Sequence, residues 1–264
     1  MAAADLGCTM YDLRFWLIFG LAICTTLSLQ ILSNLSNELG DALKGTDAGQ
    51  KEREAYGLQA GSITYNQMKY MIGLFIGLSM LFGFALIWAA FRTFFCWQSG
   101  LFLVLGALAI VGAITYTLGP HNYGYMGLGD LSVFLFFGLL STAGSYYLQA
   151  QTMSWEVMAC AAAIGFPCVG VLNLNNIRDM SNDKAHGKGT FAGCLGQEGA
   201  RRYHTLLLAG CLVIFATYGH WWTLCISPIW IWHLWYVWTR TEKLDKQMPV
   251  LMFSTLIVSI LALF

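Results

Sequence analysis

The sequence predicts an all-α fold, a polytopic helical membrane protein with about eight transmembrane helices in one domain spanning residues 1–264. Three observations predict it. Of the residues, 57% are hydrophobic and 11% charged, where a soluble domain carries about 25% charge. The mean hydropathy is +0.60, and apolar stretches long enough to cross a ~30 Å hydrocarbon core at ~1.5 Å per residue recur along the whole chain. Lys and Arg fall unevenly between the connections. The continuous apolar runs lack the alternation of a membrane barrel.

The spans are expected near 14–35, 69–91, 98–117, 131–149, 155–175, 203–219, 221–238 and 248–264. The first begins after "MAAADLGCTMYD", which has two Asp and no Lys or Arg and so does not read as a secretory leader. It runs into "NLSNELGDALKGTD" (34–47), and a long polar connection, 42–67, leads to the second span. Between the third and fourth lies Gly-rich "GPHNYGYMGLGD" (119–130), which has no P-loop spacing and reads as a flexible turn. The fifth ends in "NLNNIRDMSNDKAHGKGT" (173–190). In the last spans Trp221, Trp222, Trp230, Trp232, Trp235 and Trp238 read as an interfacial belt and helix-packing residues.

One set of connections carries Lys44, Lys51, Arg53, Lys69, Arg178, Lys184, Lys188, Arg201, Arg202, Arg240, Lys243 and Lys246; the other has only Arg14 and Arg92. By the positive-inside rule the basic face is cytoplasmic and both termini lie outside. Three connections on that face are long, which points to a site there. Zero net charge without a basic stripe gives nucleic-acid binding no support. The eight cysteines form no C-x-x-C pair and read as buried small apolar residues, and the five histidines have no metal-ligand spacing.

The chemistry-bearing residues recur. Asn34, Asn37, Glu38 and Asp41 stand at i, i+3, i+4 and i+7, one face of the first helix, with Lys44 beyond. Asn176, Asp179 and Asp183 repeat the i, i+3, i+7 spacing at the end of the fifth span, with Arg178, Lys184 and Lys188 interleaved. Like charges on one face repel, so clustering needs a reason. Oxygen donors on rigid helix ends suit Mg²⁺, which takes one or two carboxylates and shares phosphate oxygens. Two such clusters predict metal-assisted diphosphate binding, with Lys44, Lys51, Arg178, Lys184 and Lys188 on the phosphates.

A diphosphate that belongs in a membrane is a polyprenyl diphosphate, its tail in lipid and its head at the interface. Losing diphosphate from an allylic carbon leaves a cation that needs a dry, aromatic pocket. Tyr116, Tyr123, Tyr125, Tyr146 and Tyr147 lie near the third and fourth spans, and Tyr116 is assigned to the substrate. A transporter is disfavoured because no Asp or Glu falls in the middle of a span.

At these motifs the chain resembles the UbiA-type intramembrane prenyltransferases, with their N-D-x-x-D and D-x-x-x-D patterns. The resemblance runs over most of 29–205, through "LQILSNLSNELGDALKGTD" (29–47), "ITYTLGPHNYGYMGLGDLSVFLFFG" (114–138) and "LNLNNIRDMSNDKAHGKGTFAGCLG" (172–196). "YTLGPHNYGY" has no basic pair after Tyr116, as in the naphthoate branch. The resemblance implies a Mg²⁺-dependent enzyme that joins a polyprenyl group to 1,4-dihydroxy-2-naphthoate with loss of CO₂ and diphosphate. It implies metal-site roles for Asn37, Asp41, Asp179 and Asp183, with Lys44, Arg178 and Lys188 as diphosphate contacts. The alternatives are a different aromatic acceptor or an inactive shortened homologue. Glu38 stands where the family has Asp, and Tyr56 and Ala60 stand where relatives often have basic residues. The family begins with a further helix carrying an R-P-x-T-like motif, which gives nine spans; here that first helix is expected to be absent.

Overall fold

The structure is a computed structural model that describes residues 13–46, 57–58, 60–120, 122–240 and 244–263. Among these residues the secondary structure is helical, with no strand. The helices are α1 (Leu13–Lys44), α2 (Tyr65–Phe91), α3 (Trp97–Thr115), α4 (Gly129–Ala150), α5 (Trp155–Arg178), α6 (Met180–Ala185), α7 (Phe191–Thr217), α8 (Ser227–Thr239) and α9 (Leu244–Leu261). Six of them, α1 to α5 and α9, are long and apolar enough to cross a membrane, and the chain is a multi-pass membrane protein. The other two predicted spans look different. The 203–219 span is the later part of α7, whose opening turns carry "GQEGARRYH". The 221–238 span is a 3₁₀ turn, Trp221–Ile226, leading into the 13-residue α8.

The chain forms two compact units. One contains α1 to α3 and the turn up to Tyr125, together with 148–151. In it α1 and α2 run antiparallel: Ile18 packs with Ala89 and Ala90 near one end, while Leu32 and Leu39 pack with Met68 and Ile72 near the other. The start of α2 is fixed by a capping box in "TYNQ". Thr64 Oγ1 accepts from Gln67 N at 3.3 Å, and Gln67 Oε1 accepts from Thr64 N at 2.9 Å. The helix ends at Arg92, in the left-handed region with φ 59°. In α3 only Ser99 is buried, and Leu101, Val104, Leu108 and Val111 are all exposed, as a lipid-facing helix requires.

The other unit comprises, among the described residues, 126–147, 152–240 and 244–263. Its core is the contact of α5 with α4, α7 and α9, around Leu174, Leu208, Phe215, Trp230 and Leu251. Between Phe134 and Gly144 α4 is π-helical. Gly138 and Gly165 bring the backbones of α4 and α5 together, and a Cβ on Gly138 would stand 2.6 Å from Gly165 Cα. Close approach through small residues is how membrane helices gain packing energy. Trp230 alone of the predicted tryptophan belt is buried, donating from Nε1 to Ser254 Oγ at 2.8 Å; Trp221, Trp222, Trp232, Trp235 and Trp238 are exposed. Cys211 is buried as read, but Cys194 and Cys225 are exposed.

Two of the histidines pair inside this core. His204 Nε2 lies 2.9 Å from His233 Nε2, and His233 Nδ1 lies 2.8 Å from Gln247 Oε1. With His233 donating from Nδ1 to the amide oxygen, its Nε2 accepts from His204, and both rings are neutral.

Candidate functional site

In the unit holding α1, the four residues Asn34, Asn37, Glu38 and Asp41 lie in one continuous helix, so the predicted shared face forms. The turn after α3 packs onto that helix end. Thr117 Oγ1 donates to Ser36 O at 2.9 Å and lies 3.4 Å from Asn37 Oδ1. Gly40 makes this seat possible, because a Cβ there would collide with Thr117. Further along the turn, Tyr125 donates its hydroxyl to Asp41 Oδ1 at 2.8 Å, and Thr46 Oγ1 lies 2.7 Å from the Tyr125 hydroxyl oxygen. Lys44 Nζ stands over the Tyr125 ring, 3.5 Å from its centroid.

Tyr116 meets Tyr123 edge to face at 5.3 Å, and Tyr123 donates to Gly112 O at 2.8 Å. Gly124 N donates to Tyr116 O at 3.0 Å, and a Cβ on Gly124 would stand 2.6 Å from that carbonyl. The stretch read as a flexible turn is therefore anchored to α1 at Tyr125, and the residue two before it, Thr117, is anchored there too. Asn34, exposed, accepts from Gln30 at 3.3 Å. Glu38 Oε1 accepts from Leu58 N at 2.8 Å, with Gly57 (φ 38°) pressed against the carboxylate. Lys51 and Arg53 lie outside the described residues.

In the other unit the second cluster is not one unbroken helical stripe. The helix breaks at Asp179 (φ −91°, ψ 5°), which ends α5 and precedes α6. Asn176 and Asp183 are buried, and Lys184 is exposed. Arg178 grips Asp179 with two nitrogens, Nε at 2.7 Å and Nη2 at 2.5 Å, and its third nitrogen donates to Asp245. Lys188 Nζ is 3.8 Å from Asp183 Oδ1, and Lys188 N donates to Asp183 O at 2.8 Å. Each acid of this cluster thus has a basic residue beside it. A buried carboxylate needs such a partner.

Sequence reasoning missed Thr117, Tyr125 and Thr46 on the first cluster and Asp245 on the second. Tyr125 carried a signal as one of the aromatics near the site; Thr117, Thr46 and Asp245 carried none. Among the described residues no three His, Cys, Asp or Glu side chains converge as a ready-made metal centre. The donors present are nonetheless carboxylate and amide oxygens, the hard set that magnesium takes when a substrate phosphate completes its coordination. On that chemistry the residues fit the ion.

The chain matches a family model described as the UbiA prenyltransferase family over residues 2–260. It is similar to a 1,4-dihydroxy-2-naphthoate octaprenyltransferase of Escherichia coli, 44% identical over 212 residues, which cover 80% of this chain and 67% of the relative. A protein of the same description from Haemophilus influenzae is 42% identical over 205 residues, 76% of this chain and 65% of the relative. A 2-carboxy-1,4-naphthoquinone phytyltransferase of Synechocystis is 28% identical over 173 residues, 65% of this chain and 52% of the relative. The chain spans about two thirds of the length of the first two relatives. No solved structure matches it.

Proposed function

Because the chain belongs to the UbiA prenyltransferase family, we propose that it transfers a polyprenyl group from polyprenyl diphosphate to 1,4-dihydroxy-2-naphthoate. CO₂ and diphosphate leave, and demethylmenaquinone forms in its quinol state. The acceptor and donor follow from the naphthoate octaprenyltransferases to which the chain is similar. The observation that carries the reading is the pair of amide–acid clusters, each with a cation at hand. Lys44 lies over the ring that holds Asp41, and Lys188 lies beside Asp183.

Members of this family generally use a divalent metal. In one unit Asn37 and Asp41 would hold Mg²⁺, with Glu38 joining only through Oε2, since Oε1 is taken by Leu58 N; in the other unit Asp179 and Asp183 would do so. Bound there, the ion would supply neutralisation of charge on the departing diphosphate. Lys44, Lys184, Lys188 and Arg178 bind phosphate oxygens, Arg178 while also holding Asp179 in place. Asn34 adds an amide contact. Tyr116, fixed against Tyr123 and Gly124, offers an aromatic face to the allylic cation. The tail lies in lipid. On this reading the chain is one intramembrane domain in a cell (inner) membrane, with its basic connections and the bound diphosphate on the cytoplasmic side.

The test uses membranes containing the chain, Mg²⁺, a polyprenyl diphosphate and carboxyl-labelled dihydroxynaphthoate. Labelled CO₂ should appear, and Asp41→Ala and Asp183→Ala should abolish it at unchanged protein level. No release from the wild-type chain overturns the reaction. Equal release from both variants overturns the assignment of the acids.

A further inference from the structure

One buried acid has no part in that reading. Asp130, in the first turn of α4, is 9% exposed. The Tyr203 hydroxyl of α7 stands beside its carboxylate. Oδ2 is buried and meets no donor of the described chain. An acid in the first turn of a helix is ordinary. A buried carboxylate oxygen without a donor is not, since an unmet buried polar group costs about 1–3 kcal/mol and more when charged. Such a group in a native fold calls for a partner.

The surroundings say where that partner comes from, all within one unit. Gly127 (φ 80°) lies against Gly189, and a Cβ on it would stand 3.2 Å from the Gly189 carbonyl. Gly189 follows Lys188, the residue beside Asp183. After Gly189 come Thr190, which caps α7 through Gly193 N at 3.1 Å, and Phe191. The helix turns at Gly196 (φ 70°, ψ 174°), and the Phe191 ring meets Tyr203 edge to face at 5.0 Å. Asp130 and Tyr203 are thereby built into the same wall as Asp183 and Lys188.

Resting on the proposed reaction, three species arrive there. A prenyl tail has no donor, and a diphosphate is repelled by a carboxylate. The aromatic acceptor carries hydroxyl groups. We propose that Asp130 Oδ2 is the acceptor-binding base, taking the proton of the ring hydroxyl next to the acceptor carboxylate, with Tyr203 as its positioning residue.

The step balances. The carboxyl-bearing ring carbon bonds to the prenyl C1 as the C1–O bond breaks, its electron pair leaving with diphosphate. The neighbouring hydroxyl becomes a carbonyl, and its proton passes to Asp130. That intermediate is a β-keto carboxylate, so its C–C bond to the carboxylate breaks readily. CO₂ leaves and the electron pair forms an enolate. The enolate takes the proton back from Asp130, which regenerates the base and gives the quinol without any oxidant.

The experiment uses the full chain in membranes and the carboxyl-labelled assay. Asp130→Asn should lower kcat by about a hundredfold or more, the usual weight of a general base, with the KM for polyprenyl diphosphate unchanged. Raising the pH towards the ionisation of a phenol, about 10, should restore much of the rate, because an ionised acceptor needs no base. With the wild-type chain, an acceptor methylated at that hydroxyl should bind poorly and release no CO₂; this arm needs no variant to fold. Three results overturn the inference: Asp130→Asn as active as wild type, a loss with no alkaline recovery, or a methyl ether turned over like the parent. A change in Mg²⁺ requirement with the acceptor KM unmoved overturns it too, since Asp130 would then serve the metal. A wild-type chain releasing no CO₂ overturns the proposed reaction, and this inference with it.

Discussion

The hydroxyl of Tyr125 donates to Asp41 Oδ1 across 2.8 Å, while Lys44 covers the ring of the same tyrosine. A residue of the turn after α3 thus orients a carboxylate of α1, and a cation stands over that residue's ring. A hydrogen bond to a charged group contributes about 1.5–3 kcal/mol. Tyr125→Phe should therefore lower kcat/KM for polyprenyl diphosphate by about ten- to a hundredfold, with the chain still folded. Steady-state kinetics against donor concentration checks this.

Gly40 has no room for a methyl group. Gly40→Ala should destabilise the chain by about 1–3 kcal/mol, the range for overpacking, because Thr117 blocks the new Cβ. Adding Thr117→Ala should recover only a small part of the loss, since it removes Oγ1 but leaves Cβ at 2.6 Å and the backbone carbon at 2.9 Å. Thermal unfolding of the two single variants and the double variant in detergent measures the coupling.

Glu38 reaches Leu58 N with one methylene more than an aspartate has. Glu38→Asp should lose that bond, at a cost of about 1 kcal/mol, and should speed proteolytic cleavage between α1 and α2. Limited proteolysis followed by mass spectrometry reads the sites and rates. Unchanged cleavage would mean that the carboxylate does not secure the turn at 57–58.

Arg178 and its two acids should respond unequally. The Arg178 side chain is 7% exposed and that of Asp179 17%, against 43% for Asp245. Arg178→Ala breaks a largely buried pair, a change that costs about 3–5 kcal/mol. Asp245→Asn touches a solvated pair and should cost no more than about 1 kcal/mol. Chemical or thermal unfolding of both variants ranks them.

The helices were legible because lipid imposes long apolar runs, and α1, α2, α3 and α5 fall where hydropathy put them. The spacing of Asn37, Glu38 and Asp41 was legible too, since helical periodicity is local. The partners of those residues were not. Thr117 and Tyr125 lie about eighty residues from Asn37 and Asp41, and their seat depends on Gly40 having no side chain. The role of Glu38 turns on the backbone at Gly57, which the spacing of acids does not reveal. At Asp179 the expectation of one stripe failed because the helix breaks there. Asp130 stood in a quoted motif without a role, because burial and the Tyr203 contact are tertiary facts.

The Gly138–Gly165 crossing has a mechanical consequence. Where two rods touch backbone to backbone, the pivot has no slack, and a shift at one end is transmitted to the other without being absorbed by side chains. Asp130 sits at the head of one rod and Arg178 at the foot of the other. A single methyl group at the crossing would act as a wedge. It would reset the gap between Asp130 and Arg178 from eight residues away on α4 and thirteen on α5, leaving both side chains chemically intact.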